Sequence, residues 1–401
     1  MESGAGLAAA VLSRRQGIGQ TRPVTRPEEV SRAPVQPWVL HVDLDQFIAA
    51  VEVLRRPELA GLPLIVGGRG DPTERAVVST ASYEAREFGV GSGMPLRLAA
   101  RKAPTAVILP VDAPAYNEAS ARVMDALRST GAVVEVLGWD EAFLGVSTDD
   151  PEAFAARTQA AVFEASQLHC SIGIGDNKIR AKIATSFGKP RGVYRLTATN
   201  WMPVMGERPT IDLWGVGSKV SKRLAGHGIH TIAELARCEE QVVVGEFGPQ
   251  MGPWYRQLGR GIGSATVDDT PWVARGHSRE TTYQQNLKEP AEVEDAMRRL
   301  AEQVLDDVLR EGRPVMRLTL KVRYAPFFTK TFSRKLPEPT SELAVVTEAA
   351  LALTRKFEPG REIRLLGLRA EMTPPPEEAD PDEAPTARVD EPDEPGHRWR
   401  T

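Results

Sequence analysis

The sequence predicts an α+β protein of several domains, and three features predict it. Apolar, β-prone runs alternate with helix-spaced runs over the first half of the chain. Past Lys189 this gives way to short helical pieces punctuated by glycine, and from Arg275 a second α/β alternation begins, with a strand of strict period two at Arg317 to Tyr324. With 401 residues, 41% of them hydrophobic and 26% charged, the chain holds apolar material for two or more cores.

Taken in order, Trp38 to Val42 is β-prone and follows a Pro-rich lead, whereas Phe47 to Leu54 carries helical apolar spacing. Asp43 and Asp45 therefore sit at a strand-to-helix turn. A second acidic pair, Asp140-Glu141, follows the β-prone run Val133 to Leu137 and precedes Ala142-Phe143-Leu144. On neighbouring strands these carboxylates would converge. Carboxylates held together repel unless a cation neutralises them, and hard oxygen ligands of this kind suit magnesium. Two such ions about 3.5–4 Å apart are the usual device for displacement at phosphorus. A lone Asp at such a turn more often caps a helix or pairs on the surface; two acidic clusters at strand ends favour metal.

Pro63 to Val66 and Ala76 to Ser79 read as short strands around a Gly-rich turn, leading into a short helix from Tyr83 to Phe88. Thr80, Tyr83 and Arg86, at i, i+3 and i+6, offer a hydroxyl, a phenol and a guanidinium along one side of that helix start. Taken alone, Arg86 is an ordinary surface residue. Pro114 to Leu127 places Tyr116, Ala119, Val123 and Leu127 on one side and should pack on the sheet. A helix over Pro151 to Ala165 and a strand from His169 to Ile174 complete a split β-α-β arrangement. Lys182 lies on a helix beginning near Asn177, where a lone Lys is usually solvated.

Leu213 to Val220, with a helix through Leu224, resembles a helix-hairpin-helix: Gly215 and Gly217 let backbone N–H groups approach a phosphate, with Lys219, Lys222 and Arg223 alongside. Residues 261–274 read as a linker. In the strand beyond, Arg317, Thr319, Lys321 and Arg323 share one face, and Leu318, Leu320 and Val322 the other. Lys330, Arg334 and Lys335 are expected to extend the basic face on the next strand. Such a face is either simply solvated or tracks a phosphate backbone, with an affinity that falls as salt rises.

The net charge of −4 is concentrated at one end. From Thr373 to Thr401 nine acids oppose three arginines, which leaves a net +2 on the remaining residues. This Pro-rich acidic tail (373–401) and the extension 1–36 lack sustained apolar periodicity and are expected to be disordered. Cys170 and Cys238 are too few and too far apart for a disulfide framework or zinc site. No run approaches the roughly 18–20 apolar residues of a membrane span, and the extension has no signal-peptide apolar core. A cytoplasmic protein is expected, with no membrane partner.

Four ordered segments, Val42-Asp43-Leu44-Asp45-Gln46-Phe47, Ser79 to Val90, Asp140 to Leu144, and Ser171 to Ile174 through Lys178 and Ala181 to Ala184, resemble the Y-family translesion DNA polymerases of the bacterial DNA polymerase IV type. The resemblance spans roughly Trp38 to Met372. It implies a right-hand polymerase with a ferredoxin-like palm (37–46 and 112–189), small fingers (47–111), a helix-hairpin-helix thumb (190–260), a linker (261–274) and an α/β little finger (275–372). It also implies two Mg²⁺ ions, with Mn²⁺ as a substitute: Asp43, Asp140 and the Leu44 carbonyl on the triphosphate-bound ion, and Asp43, Asp140 and Glu141 on the ion that activates the primer 3′-hydroxyl. Thr80, Tyr83, Arg86 and Lys182 would hold the triphosphate, with Asp45 structural. Gly215, Gly217, Lys219, Arg317, Lys321, Arg323, Lys330 and Arg334 would meet DNA. Primer-template DNA and nucleoside triphosphates are the implied partners, and the chain is expected to act as a monomer. A sliding clamp would be a further partner, although the tail holds no clear Gln-x-x-Leu-Phe peptide.

Two positions depart from the family pattern. Ile48 stands where an aromatic sugar gate is usual, which implies weak discrimination against the 2′-hydroxyl of a ribonucleotide; alternatively Ile48 only packs on the fingers. Gly138-Trp139 precedes Asp140 where a serine and a small aliphatic are usual, and Trp139 is expected to be buried beside the site. The competing readings are a catalytically inactive DNA-binding scaffold, disfavoured by the retained acids, and a nucleotide cyclase with a similar palm, disfavoured by the thumb and the basic second domain.

Overall fold

The computed structural model describes residues 37–375; the extension 1–36 and positions 376–401 of the tail, both expected to be disordered, lie outside the described residues. The strand Trp38–Leu44 runs through the middle of a five-stranded sheet. Its antiparallel neighbours are Glu141–Val146 and Cys170–Gly175, and Val133–Val136 and Val193–Leu196 form the edges. The alternation along Trp38–Leu44 decides what each face does. Leu40, Val42 and Leu44 are buried against helices Ala113–Ser129 and Pro151–Ser166, with Tyr116, Val123, Leu127, Phe154 and Val162 in the same core. His41 and Asp43 point to the opposite face.

That opposite face carries helix Lys178–Gly188, started by Asn177, whose side chain accepts from the Arg180 N–H at 2.9 Å. The helix lies so close to the sheet that glycine is required at 173: a Cβ there would stand 2.0 Å from the Ala181 carbonyl oxygen and 2.4 Å from the Thr185 nitrogen. Gly173→Ala is expected to lower stability by about 1–3 kcal/mol through overpacking and to lift Lys182 off the sheet. A lower melting temperature of the variant checks this.

The acidic pair Asp140-Glu141 reaches the centre differently from the sequence expectation. Val133–Val136 is an edge strand and does not touch the Asp43 strand. A turn after it brings Asp140 and Glu141 to the start of the next strand, Glu141–Val146, which is antiparallel to Trp38–Leu44 with Asp43 opposite Glu141. The two clusters meet because one ends its strand where the other begins.

Between them come helix Phe47–Arg55 and a three-stranded sheet of Leu64–Val66, Thr80–Ala81 and Val107–Leu109. The strand expected at 76–79 is displaced to Thr80–Ala81; Val77 makes only an isolated bridge to Pro95. Helix Tyr83–Glu87 follows, capped by Ser82.

Residues 201–259 form the short helices Trp201–Met205, Ser218–Ala225 and Ile232–Arg237 and a 20-residue segment, Glu240–Gly259, kinked at Gly248, around Trp201, Leu213, Leu224, Leu235 and Leu258, a core that also takes in Ile179 and Ile183 from the Lys182 helix. Residues 261–274 hold no helix or strand and lie along the five-stranded sheet: Val267 packs with Val39, Phe143 and Ala181, and the Ser264 carbonyl accepts from the Lys178 N–H at 2.9 Å. The last unit is a four-stranded antiparallel sheet in the order Phe328–Thr340, Val315–Tyr324, Ile363–Met372, Gly276–Leu287, with helices Pro290–Glu311 and Leu343–Thr354 on one face. Leu318, Leu320 and Val322 are fully buried under those helices. Among the described residues no helix is long and apolar enough to cross a membrane.

Candidate active site

The Asp43 strand ends at Leu44, and Gln46 takes a left-handed conformation (φ 44°, ψ 42°) before helix Phe47–Arg55 begins. This tight reversal sends Asp43 and Asp45 in different directions. Asp45 is buried and accepts three hydrogen bonds, from Tyr83 Oη (2.9 Å), Ser171 Oγ (2.9 Å) and the Arg191 N–H (2.8 Å). It anchors the turn and is absent from the acidic cluster. Asp43 instead faces Glu141, and the Leu44 N–H donates to the Asp140 carbonyl at 2.9 Å, which ties the two acidic segments together.

The cluster is electrostatically divided. Burial, with Asp43 and Glu141 beside it, pushes the Asp140 carboxyl up to about 6. Burial also acts to raise Glu141, but hydrogen bonding to His41 and the Lys182 ammonium outweigh it and hold that carboxyl at about 2. Lys182 Nζ pairs with Glu141 Oε2 and lies 3.1 Å from His41 Nε2. His41 is fully buried, its pKa lowered chiefly by burial, and its Nδ1 is 2.8 Å from Thr185 Oγ1. Nε2 also lies 3.3 Å from Glu141 Oε2, so a neutral ring with the proton on Nδ1 donates to Thr185 and accepts from Lys182, whereas the tautomer with the proton on Nε2 donates to Glu141. Lys189 Nζ pairs with Asp43 Oδ1.

The carboxylates of Asp43, Asp140 and Glu141 are hard-oxygen donors of the kind that suits a divalent cation, and the like charge of Asp43 and Glu141 adds to burial in raising Asp140. As the site stands, Lys189 and Lys182 supply the counter-charge. Among the described residues no group of three or more His, Cys, Asp or Glu side chains is arranged around a common ligand position. An open cleft of about 660 Å³ lies in front, lined by His41, Asp43, Lys182, Lys189, Arg208 and Trp214.

The expected triphosphate contacts do not share one helix: Thr80 belongs to the two-residue strand, and only Tyr83 and Arg86 are on the helix. The Tyr83 phenol, its pKa raised by burial and by Asp45, is tied to Asp45; Arg86 lies 5.1 Å from its ring centroid and donates to the Ala81 carbonyl at 3.0 Å. Ile48 is half-buried in the first turn of its helix, against the sheet core. Trp139, expected to be buried, is half-buried and edge-on to Tyr116 at 6.2 Å.

Further out, Gly215 has φ +93° and lies where a Cβ would stand 2.8 Å from the Trp254 ring; Gly217 caps helix Ser218–Ala225, beside an exposed Lys219. In the C-terminal sheet Arg317, Lys321 and Arg323 share the open face, but carboxylates share it too: Arg317 pairs with Glu371 at 3.0 Å and Lys321 with Glu280 at 2.7 Å. Lys330 and Arg334 do not extend this face. They stand opposite Val322 and Leu318, residues of the helix-covered side, and Lys330 pairs with Glu358 at 2.6 Å. Lys335, opposite Arg317, is on the open side.

The sequence reading assigned no role to His41 or Lys189. For His41 the signal was present, two residues before Asp43 and so on the same strand face; for Lys189, at the end of its helix, no local pattern pointed to Asp43.

Residues 42–186 match the model of the impB/mucB/samB family, and residues 274–381 match that family's C-terminal domain. The chain is 49% identical over 339 residues to DNA polymerase IV 2 of Mycobacterium tuberculosis (strain ATCC 25618 / H37Rv), covering 84% of this chain and 98% of that protein. It is 37% identical over 341 residues to DNA polymerase IV of Methanoculleus marisnigri, covering 83% and 94%. Among solved structures, a Y-family DNA polymerase chimera superposes with a TM-score of 0.76 at 24% identity, covering 83% of this chain and 98% of that one. An insertion ternary complex of Dbh DNA polymerase gives 0.56 at 24%, covering 84% and 98%. The chain belongs to the impB/mucB/samB family and is a Y-family DNA polymerase of the DNA polymerase IV type.

Proposed function

We propose that this polymerase extends a primer 3′-hydroxyl by template-directed phosphoryl transfer with two divalent ions, Mg²⁺ or in its place Mn²⁺, held by Asp43, Asp140, Glu141 and the Leu44 carbonyl. The pairing of Asp43 with Glu141 across adjacent strands, with the Asp140 backbone tied to Leu44 beside them, carries this reading. When bound, the ions would lower the charge on the attacking and leaving oxygens. The chain's own groups do the rest. Lys182, released from Glu141, together with Thr80, Tyr83 and Arg86, holds the triphosphate, Lys182 and Arg86 as charge-assisted donors. The 3′-oxygen attacks the α-phosphorus and pyrophosphate leaves. His41 stays neutral and orients Lys182.

Primer-template DNA and nucleoside triphosphates are the proposed partners of a cytoplasmic monomer, in keeping with the ternary complex solved for Dbh. The proposed palm comprises 37–46 and 112–189, the fingers 47–111, the thumb 190–260 and the little finger 275–372, with the thumb hairpin at Gly215, Gly217 and Lys219 and the open face of Arg317, Lys321 and Arg323 on the DNA backbone. Lys219→Ala should weaken binding to primer-template uniformly across sequences and reduce the slope of log K against log salt by about one; an anisotropy titration at several salt concentrations measures it. Half-burial of Ile48 leaves only a short aliphatic side chain at the sugar-gate position, so we propose that ribonucleotides are accepted alongside deoxyribonucleotides. Primer extension with each class of nucleotide tests the whole reading: extension by the wild type supports the polymerase, whereas tight DNA binding without extension by any nucleotide would make the chain a scaffold.

A further inference from the structure

The hairpin that joins Val315–Tyr324 to Phe328–Thr340 carries at its tip two phenylalanines that the core does not use. Phe327 is 67% exposed and Phe328 45%, and adjoining apolar rings left on a surface mark an interaction site more often than a stray residue. Each ring is faced by a cation. The Arg364 guanidinium carbon is 4.8 Å from the Phe327 centroid, the Arg361 carbon 4.8 Å from that of Phe328, and Lys330 Nζ 5.6 Å from the latter. Phe328 is also stacked on Tyr324, with centroids 6.3 Å apart and 20° between the planes.

The surroundings are cationic beyond these pairs. Arg364 occupies the register shift where Ile363–Met372 passes Arg323 and Tyr324. Burial and the nearby Arg75 and Arg323 guanidiniums lower its pKa, the sign of cations held close together. Arg75 arrives from the segment before Thr80 and is fixed by donating to the Tyr283 carbonyl (3.1 Å) and Asn286 Oδ1 (2.6 Å). Arg323 donates to the Thr329 hydroxyl at 2.9 Å. Carboxylates are present in smaller number: Glu358 is shared by Lys330 and Arg361, and Glu362 pairs with Lys288.

Exposed aromatic rings set among cations match a ligand that presents flat π-surfaces and negative charge at alternating positions. That is single-stranded nucleic acid. Duplex DNA hides its base faces, and an acidic peptide would use the cations but not the rings. We propose that Phe327 and Phe328, framed by Arg361 and Arg364, form a stacking platform for unpaired template bases beyond the primer-template junction, an inference that rests on the polymerase reading.

The test is fluorescence anisotropy of the full chain on two DNAs with the same duplex, one blunt and one with a 5′ template overhang of about ten nucleotides, near the site size of single-strand binders. The wild type should bind the overhang DNA about tenfold more tightly, the gain from stacking on the order of one base. The double variant Phe327→Ala/Phe328→Ala should bind both DNAs alike at the wild-type blunt affinity, and Phe327→Trp/Phe328→Trp should keep the preference. An overhang preference that survives the alanine variant overturns the inference. So does equal binding of the two DNAs by the wild type, which leaves duplex binding and the polymerase reading intact; binding of neither DNA overturns both.

Discussion

Asp140→Ala lowers primer extension by about a thousandfold or more, on the scale seen when a group essential to the chemical step is removed, while affinity for primer-template DNA stays within about twofold. The reason is position. Asp140 adjoins both Asp43 and Glu141, so its loss removes a donor that both proposed ions share. The same crowding gives the residue a pH signature. With its carboxyl pushed up to about 6, a proton competes with the cation, so extension should decline below about pH 6 and be partly restored by more divalent ion.

Stability runs the other way. A carboxyl whose folded pKa lies above its unfolded value of 3.8 binds protons more readily in the native state, so its ionisation destabilises the fold as pH rises from about 4 to about 6. The shift corresponds to about 3 kcal/mol at neutral pH. Asp140→Asn should therefore melt at a higher temperature than the wild type while failing to extend a primer. Glu141 is the opposite case: held at about 2, it contributes stability above its unfolded value of 4.5 that is lost as pH falls toward 2. A melting temperature for Asp140→Asn at or below that of the wild type at pH 7 would show that the Asp140 charge is already relieved.

Ile48→Phe raises the preference for dATP over ATP by about a hundredfold or more. A site rejects an added hydroxyl poorly when it merely offers apolar space, at a level near a hundredfold for a pocket shaped to the smaller substrate and less for an open one. Ile48 offers less than that, a branched four-carbon side chain half-buried in its helix turn. A planar ring there would cover the sugar and turn the 2′-hydroxyl into a steric conflict. Single-nucleotide kcat/KM values for dATP and ATP decide it: wild-type values within about tenfold are expected, and a wild-type preference beyond about a thousandfold would assign the exclusion to another residue.

What the chain discloses before folding, and what it withholds, follows from the physics of each element. The Asp43 strand and its helix are legible because period two gives way to period 3.6 within six residues. Asp140-Glu141 is legible as a cluster but not as a position, since the run at 133–137 is the stronger local strand signal and nothing local says that the pair opens a second, short strand. Lys330 and Arg334 miss the open face for a reason of parity. Alternation fixes which residues of one strand share a face, but the next strand's phase depends on how many residues the turn absorbs. Here Tyr324 pairs with Phe328, so odd-numbered residues share the open face on both strands. Lys189 is invisible for a third reason: its partner Asp43 is 146 residues away, and long-range ion pairs leave no trace in spacing.

The central place of the Asp43 strand also governs how the molecule comes into being. Asp45, just past its end, meets Ser171 across 126 residues of chain, and both neighbours that pair with the strand are made much later than the strand itself. At ordinary translation speeds the emerging chain waits roughly 6 to 25 s between the two, a long interval for an apolar ribbon with both edges open. Closing so wide a loop makes the sheet a late and slow event in folding. The segment that carries Asp43 is thus a point of exposure to aggregation in the newborn chain, and the protein's yield on expression should respond more to growth temperature and chaperone supply than the stability of the finished fold would suggest.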